Sequence, residues 1–153
     1  MKPDNRCLIQ NSSITKIFII ISICLIITCK KVDEFQKIRD GNFDLVAKGK
    51  YEGKLNFLKQ GNEYEDIVKV CRTEIEKNSD VLPAISKRYF SISENLFYKF
   101  KFVAIDKEKN NLILRYFARI MSHSLYAGYQ IQFVLDIDSK KLIHIFTAEV
   151  PLE

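Results

Sequence analysis

Four consecutive stretches in the second half of the chain alternate apolar and polar residues with a period of two, and this period constrains the fold more than any other feature. They run Leu96 to Ile105, Leu112 to Met121, Tyr129 to Ile137 and Leu142 to Val150. Successive side chains on a strand point to opposite faces, so the pattern predicts β-strands with one buried and one solvated face. The connectors Asp106-Lys107-Glu108-Lys109-Asn110-Asn111 and Asp138-Ser139-Lys140-Lys141 are short and polar, which suits the hairpins of an antiparallel sheet. A fifth, edge strand is expected over Lys87 to Ile92. Reading alternate residues assigns Tyr98, Phe100, Phe102, Ala104, Leu112, Leu114, Tyr116, Ile131, Phe133, Leu135, Leu142, His144, Phe146 and Ala148 to the buried face. The opposite face then carries Lys99, Lys101, Arg115 and Arg119, with Phe97, Phe117, Ile143 and Ile145 among them.

Upstream the period changes. Tyr64, Ile67, Val68, Cys71 and Ile75 recur at helical spacing, which predicts a helix over Glu63 to Lys77 capped by Asn62. Shorter helices are expected over Val32 to Arg39 and Phe43 to Ala47. The fold class is therefore α+β, with N-terminal short helices packed on a curved antiparallel sheet of four or five strands. This element order resembles the cystatin-like and nuclear-transport-factor-2-like folds, a likeness of order alone and without a diagnostic motif.

The N-terminus has a different composition. Ile17 to Thr28 reads IFIIISICLIIT, preceded by a polar basic stretch and followed by Cys29, Lys30 and Lys31. A spanning helix needs about 20 apolar residues, and Lys16 stops this run well short, so the layout is that of a signal peptide. Ile26-Ile27-Thr28-Cys29 resembles a bacterial lipobox, departing from it at Thr28, where Gly, Ala or Ser is usual. The resemblance implies lipidation of Cys29, residues 1–28 as a lipoprotein signal peptide and residues 29–153 as a single envelope domain. It also implies a lipid anchor in the bacterial cell envelope, in the outer membrane facing the periplasm because Lys30 is not the Asp that retains such proteins in the inner membrane. An uncleaved anchor and a conventionally cleaved signal peptide are the alternatives. Of the four cysteines, Cys71 then has no disulfide partner and is expected to pack as a small apolar side chain.

The net charge of +5 falls to +3 once Lys2, Arg6, Lys16 and Asp4, all upstream of Cys29, are set aside. A nucleic-acid binder usually carries more, so no nucleic-acid partner is expected. Gly49-Lys50-Tyr51-Glu52-Gly53-Lys54 is too short between its glycines for a phosphate loop and lacks the following hydroxyl residue. Ser122-His123-Ser124 has no nucleophile-elbow glycines. Two histidines and no Cys-x-x-Cys leave no metal-ligand set, so neither metal nor cofactor is expected. The alternation gives the interior Tyr98, Tyr116 and His144 but no carboxylate, a poor endowment for acid–base catalysis. Two expectations follow. The first is a non-enzymatic, membrane-anchored domain that binds a protein partner in the envelope through Lys99, Lys101, Arg115, Arg119 and Phe117, with an immunity or inhibitor protein as a specific case. The second is a pocket lined by His144, Tyr98 and Tyr116 that takes a small ligand.

Overall fold

The computed structural model describes residues 33–92, 96–120 and 128–150. Cys29 with its lipobox-like segment and Ser122-His123-Ser124 lie outside the described residues. From Glu34 onward the chain is one structural unit. Its order is α1 (Glu34–Arg39), β1 (Val46–Lys48), β2 (Asn56–Phe57), α2 (Glu65–Lys77), α3 (Val81–Phe90), β3 (Leu96–Asp106), β4 (Asn111–Ile120), β5 (Gly128–Asp136) and β6 (Leu142–Val150). The class is α+β. The sheet, however, has six strands in the order β1-β6-β5-β4-β3-β2 and is mixed, since β1 pairs parallel with β6. The helices are interleaved with the two short strands rather than preceding the whole sheet.

Three local expectations are overturned. Phe43 to Ala47 ends in strand β1 and not in a helix, because Val46 and Ala47 pair with Ile145 and Phe146. Lys87 to Ile92 is no edge strand: its first four residues finish α3, whose Pro83 occupies the first helical turn, where the amide has no helical acceptor to lose. Asn62 does not cap α2 as predicted. Its side-chain oxygen accepts the Tyr64 amide at 2.8 Å and so shapes the turn before the helix.

The core lies between the helices and one sheet face. Phe35 and Ile38 of α1, Cys71 and Ile75 of α2, and Val81, Leu82 and Ile85 of α3 close on Leu112, Leu114, Tyr116, Ile131, Phe133, Leu135 and Ile145. Arg39 locks α1 to the α2–α3 junction through a two-pronged contact with Asp80 at 2.6 and 2.9 Å. That guanidinium holds the Asp80 carboxyl below the usual carboxylate range.

Two β-bulges decide which residues face the core. β3 slips against β4 between Phe100 and Phe102, and β6 slips against β5 between Val134 and Leu135. One extra residue in a strand swaps the face of everything beyond it. Beyond Lys101, Val103 and Ile105 therefore join Leu114 and Leu112 on the helix side, while Phe102 and Ala104 turn to the other face. In β6, Leu142 keeps its predicted side. Ile145 sits opposite Phe133 in the core, and His144, Phe146 and Ala148 pair with Val134, Gln132 and Gln130 on the outer face.

A strap crosses that outer face. β1 and β2 occupy opposite edges, five strand spacings or roughly 24 Å apart. The eight peptide steps from Lys48 to Asn56 reach at most about 29 Å, so this segment has little slack. Tyr51 fastens it: its amide donates to Gln132 at 2.9 Å, its hydroxyl donates to Asp106 at 2.8 Å, and its ring stands edge-on to Phe146. Gly53 passes so close to Asp106 and the Tyr51 ring that a Cβ would collide with both. The glycine spacing that failed as a phosphate loop serves this crossing.

Candidate binding interface

Beyond the strap, the outer face carries the cations. The register sets Lys99 opposite Phe117, Phe97 opposite Arg119 and Phe102 opposite Arg115. Lys101, the bulged residue, holds its ammonium 5.6 Å from the centre of the Phe117 ring. Lys99, Lys101, Arg115, Arg119 and Phe117 thus share one face, and Phe97 stands among them with 57% of its surface exposed. Such cation–ring contacts are worth about 0.5–1 kcal/mol where solvated and more where dry.

Arg115 differs from its neighbours. Its guanidinium lies 3.7 Å from the centre of the Phe102 ring, and its Nε is enclosed with no hydrogen-bond acceptor among the described residues. Burial pushes its pKa down. Gln132, directly opposite, and Gln130, opposite Phe117, are both fully buried with their amide nitrogens equally unmatched. The Tyr51 amide occupies the Gln132 oxygen, which fixes that side chain's orientation. An enclosed donor without an acceptor costs about 1–3 kcal/mol, so three on adjacent strands are a concentrated demand for acceptor oxygen. Sequence reading missed both glutamines. Their signal was Gln130 and Gln132 standing at alternate positions of an otherwise apolar strand.

The three residues of the expected pocket are not brought together. Tyr98 donates to Ser86 of α3 at 3.0 Å, and Tyr116 packs on Phe100 and Phe133, both on the helix side. His144 is on the outer face with its ring centre 4.7 Å from that of Phe146, sent there by the β6 bulge. Tyr116 keeps a hydroxyl with no partner among the described residues, and burial pushes its pKa up to about 12. It floors a cleft of about 560 Å³ between α2 and β3, lined also by Arg72, Glu76, Tyr98 and Phe100.

Cys71 is buried on α2 as the helical spacing predicts, and desolvation raises its thiol pKa. That is an inert environment. Among the described residues no group of three or more His, Cys, Asp or Glu side chains could hold a metal, and no helix is long and apolar enough to cross a membrane. No family model matches the chain, and neither a curated protein nor a solved structure was found to be similar to it.

Proposed function

We propose that this protein is a lipid-anchored bacterial envelope protein, held at Cys29 in the outer membrane and facing the periplasm, whose α+β domain binds an acidic protein without catalysing a reaction. One observation carries the binding reading: Lys99, Lys101, Arg115 and Arg119 lie on one sheet face with Phe97, Phe102 and Phe117. Cations beside exposed rings supply both long-range attraction and apolar anchorage, the combination from which interface hot spots are built. An inhibitor that covers an incoming toxin is a specific case, since it needs only such a face. The anchor rests on the sequence, on the short apolar run and Ile26-Ile27-Thr28-Cys29.

A photo-crosslinking amino acid placed at the exposed Phe97 position tests the reading in intact cells. A discrete heavier product that disappears when Lys101→Glu and Arg119→Glu are introduced together supports it. A product unaffected by that double reversal sinks it. For the anchor, the intact mass of protein from the membrane fraction is compared with that of Cys29→Ala. Residues 29–153 plus acyl chains, lost in the variant, is the expected result.

A further inference from the structure

We propose that the groove between α2 and the edge of β3, which no described strand covers, receives an extended acidic segment of another protein, which adds to the sheet as a strand beside Leu96–Phe102. This rests on the binding reading and names a second contact and its geometry.

The edge itself is the first observation. β2 pairs with β3 only at Ile105 and Ala104, and the Leu58 amide then takes the Val103 carbonyl. From Leu96 to Phe102 no strand among the described residues lies beside β3 on this side, which leaves about 23 Å of edge with ladder groups to offer. Extended segments are commonly bound by this kind of strand addition, backbone pairing supplying affinity and side-chain pockets supplying selectivity.

The groove supplies the pockets. Glu65 and Val103 line one cleft and Ser79 and Tyr98 the next, so α2 runs antiparallel to β3 and stands off from it to leave two adjoining clefts of about 460 and 560 Å³. They meet at Arg72, whose guanidinium lies 4.5 Å from the centre of the Phe100 ring while its Nε holds Glu76 at 2.7 Å. Leu58, Val68, Phe100 and Val103 make the floor of the first cleft apolar, and Tyr116, whose hydroxyl has no partner among the described residues, lines the second.

Charge selects the occupant. Lys59, Lys69 and Arg72 line the clefts against two carboxylates, Glu65 and Glu76, of which Glu76 is paired with Arg72, and Lys99 stands on the outer side of the same edge. Among the described residues Lys59, Lys69 and Lys99 make no salt bridge. A second copy of this chain pairing edge to edge would set Lys99 and Lys101 against the same lysines, the arrangement by which natural edges reject self-association. An acidic strand meets the opposite: one set of its alternate side chains faces Lys99 and Lys101 on the outer side, and the other reaches the apolar floor of the clefts beside the exposed Lys59 and Lys69.

The test uses the full chain in detergent and a dye-labelled, end-capped nonapeptide of alternating glutamate and valine, followed by fluorescence anisotropy. Lysine in place of glutamate gives the control peptide. The acidic peptide should bind in a salt-sensitive way and the control should not. Lys59→Glu with Lys69→Glu should weaken binding roughly tenfold. Thr73→Trp, which fills the first cleft without changing charge, should also weaken it, and this covers the case in which the double variant misfolds. A photoreactive group at the peptide's centre should label α2 or β3 within the groove. Absence of binding up to about 1 mM, indifference to both substitutions, or displacement of the peptide by a second copy of the chain overturns the proposal. Labelling confined to Phe97, Phe117 and Ile143 also overturns it, yet leaves the outer-face reading standing. A cellular crosslink at Phe97 that survives the double reversal of Lys101 and Arg119, with peptide binding intact, removes that reading and not the groove.

Discussion

The two faces of the sheet are closed by opposite means. The inner face is covered by three helices mainly through apolar side chains, with Ile85, Leu112, Leu114, Ile131, Phe133 and Ile145 all inaccessible to solvent. The outer face is crossed by one taut strap held by named polar contacts at Asp106 and Gln132, and past the strap it is left to cations and rings. An apolar seal is non-directional and tolerates no volume loss, whereas a polar clamp depends on a few geometries and on protonation. The two faces should therefore fail differently.

The largest effect belongs to the inner face. Phe133 touches α1 through Phe35 and the adjacent strand through Tyr116, so Phe133→Ala opens a cavity at the centre of the core. It should lower unfolding free energy by about 3–5 kcal/mol in urea titration, at an unchanged denaturant slope. A cost below that of the strap variants would overturn the ranking of the faces. The strap comes next. Gly53→Ala places a methyl group where Asp106 and Tyr51 already are, and should cost about 1–3 kcal/mol through displacement of the crossing.

The clamp also predicts a pH signature. Burial alone would raise the Asp106 carboxyl, but the Tyr51 hydroxyl and the amides of Lys109, Glu108 and Lys54 outweigh it and hold the pKa below the ordinary value. A depressed folded pKa adds stability that is complete above the unfolded value near 3.9 and is lost as pH falls through the folded one. Asp80 and Asp136 are depressed in the same direction, by Arg39 and by Ser139 respectively. Acid unfolding of the wild type should hence begin below about pH 4, and Asp106→Asn should flatten its share of that decline. Equal pH slopes in the two proteins would show that the carboxylate is not the clamp.

Much of this contrast is legible in the sequence, and the rest fails for physical reasons. The four long strands fall within a residue or so of their predicted limits, because a hairpin sheet with one dry face imposes the period on every position. The central strands β4 and β5 keep their phase throughout. Against each of them the next strand outward, β3 or β6, has one partner of full length and only a two- or three-residue strand on its other side, and there the bulges enter. A bulge leaves no mark in a hydrophobicity pattern when both residues it swaps are apolar, as with Phe102 and Val103, or Ile145 and Phe146. β1 and β2 are too short to show any period. The strap was visible only as two glycines around a tyrosine, a spacing that acquires meaning once the edges it joins are known. α3 was hidden by Pro83, which reads as a break wherever the first helical turn is not recognised.

The smallest expected effect on stability separates folding from binding. Lys101 and Arg119 are exposed on the outer face, away from the helix-packed core. Reversing both to glutamate should shift unfolding free energy by no more than about 0.5 kcal/mol, the range of surface substitutions remote from caps, cores and buried pairs. Lys101 sits at the bulge of a strand whose edge has no neighbour there among the described residues, so its charge has a second role in discouraging pairing with another copy. Lys101→Glu alone should then raise self-association at high concentration, because the new carboxylate of each copy would face Lys99 of the other, and size-exclusion chromatography with light scattering reads this directly. If the double reversal costs as much as Gly53→Ala, the cations are part of the clamp and the outer face is a structural surface from end to end. If stability holds while the Phe97 crosslink vanishes, the strap closes one half of that face and the cations leave the other half for a partner.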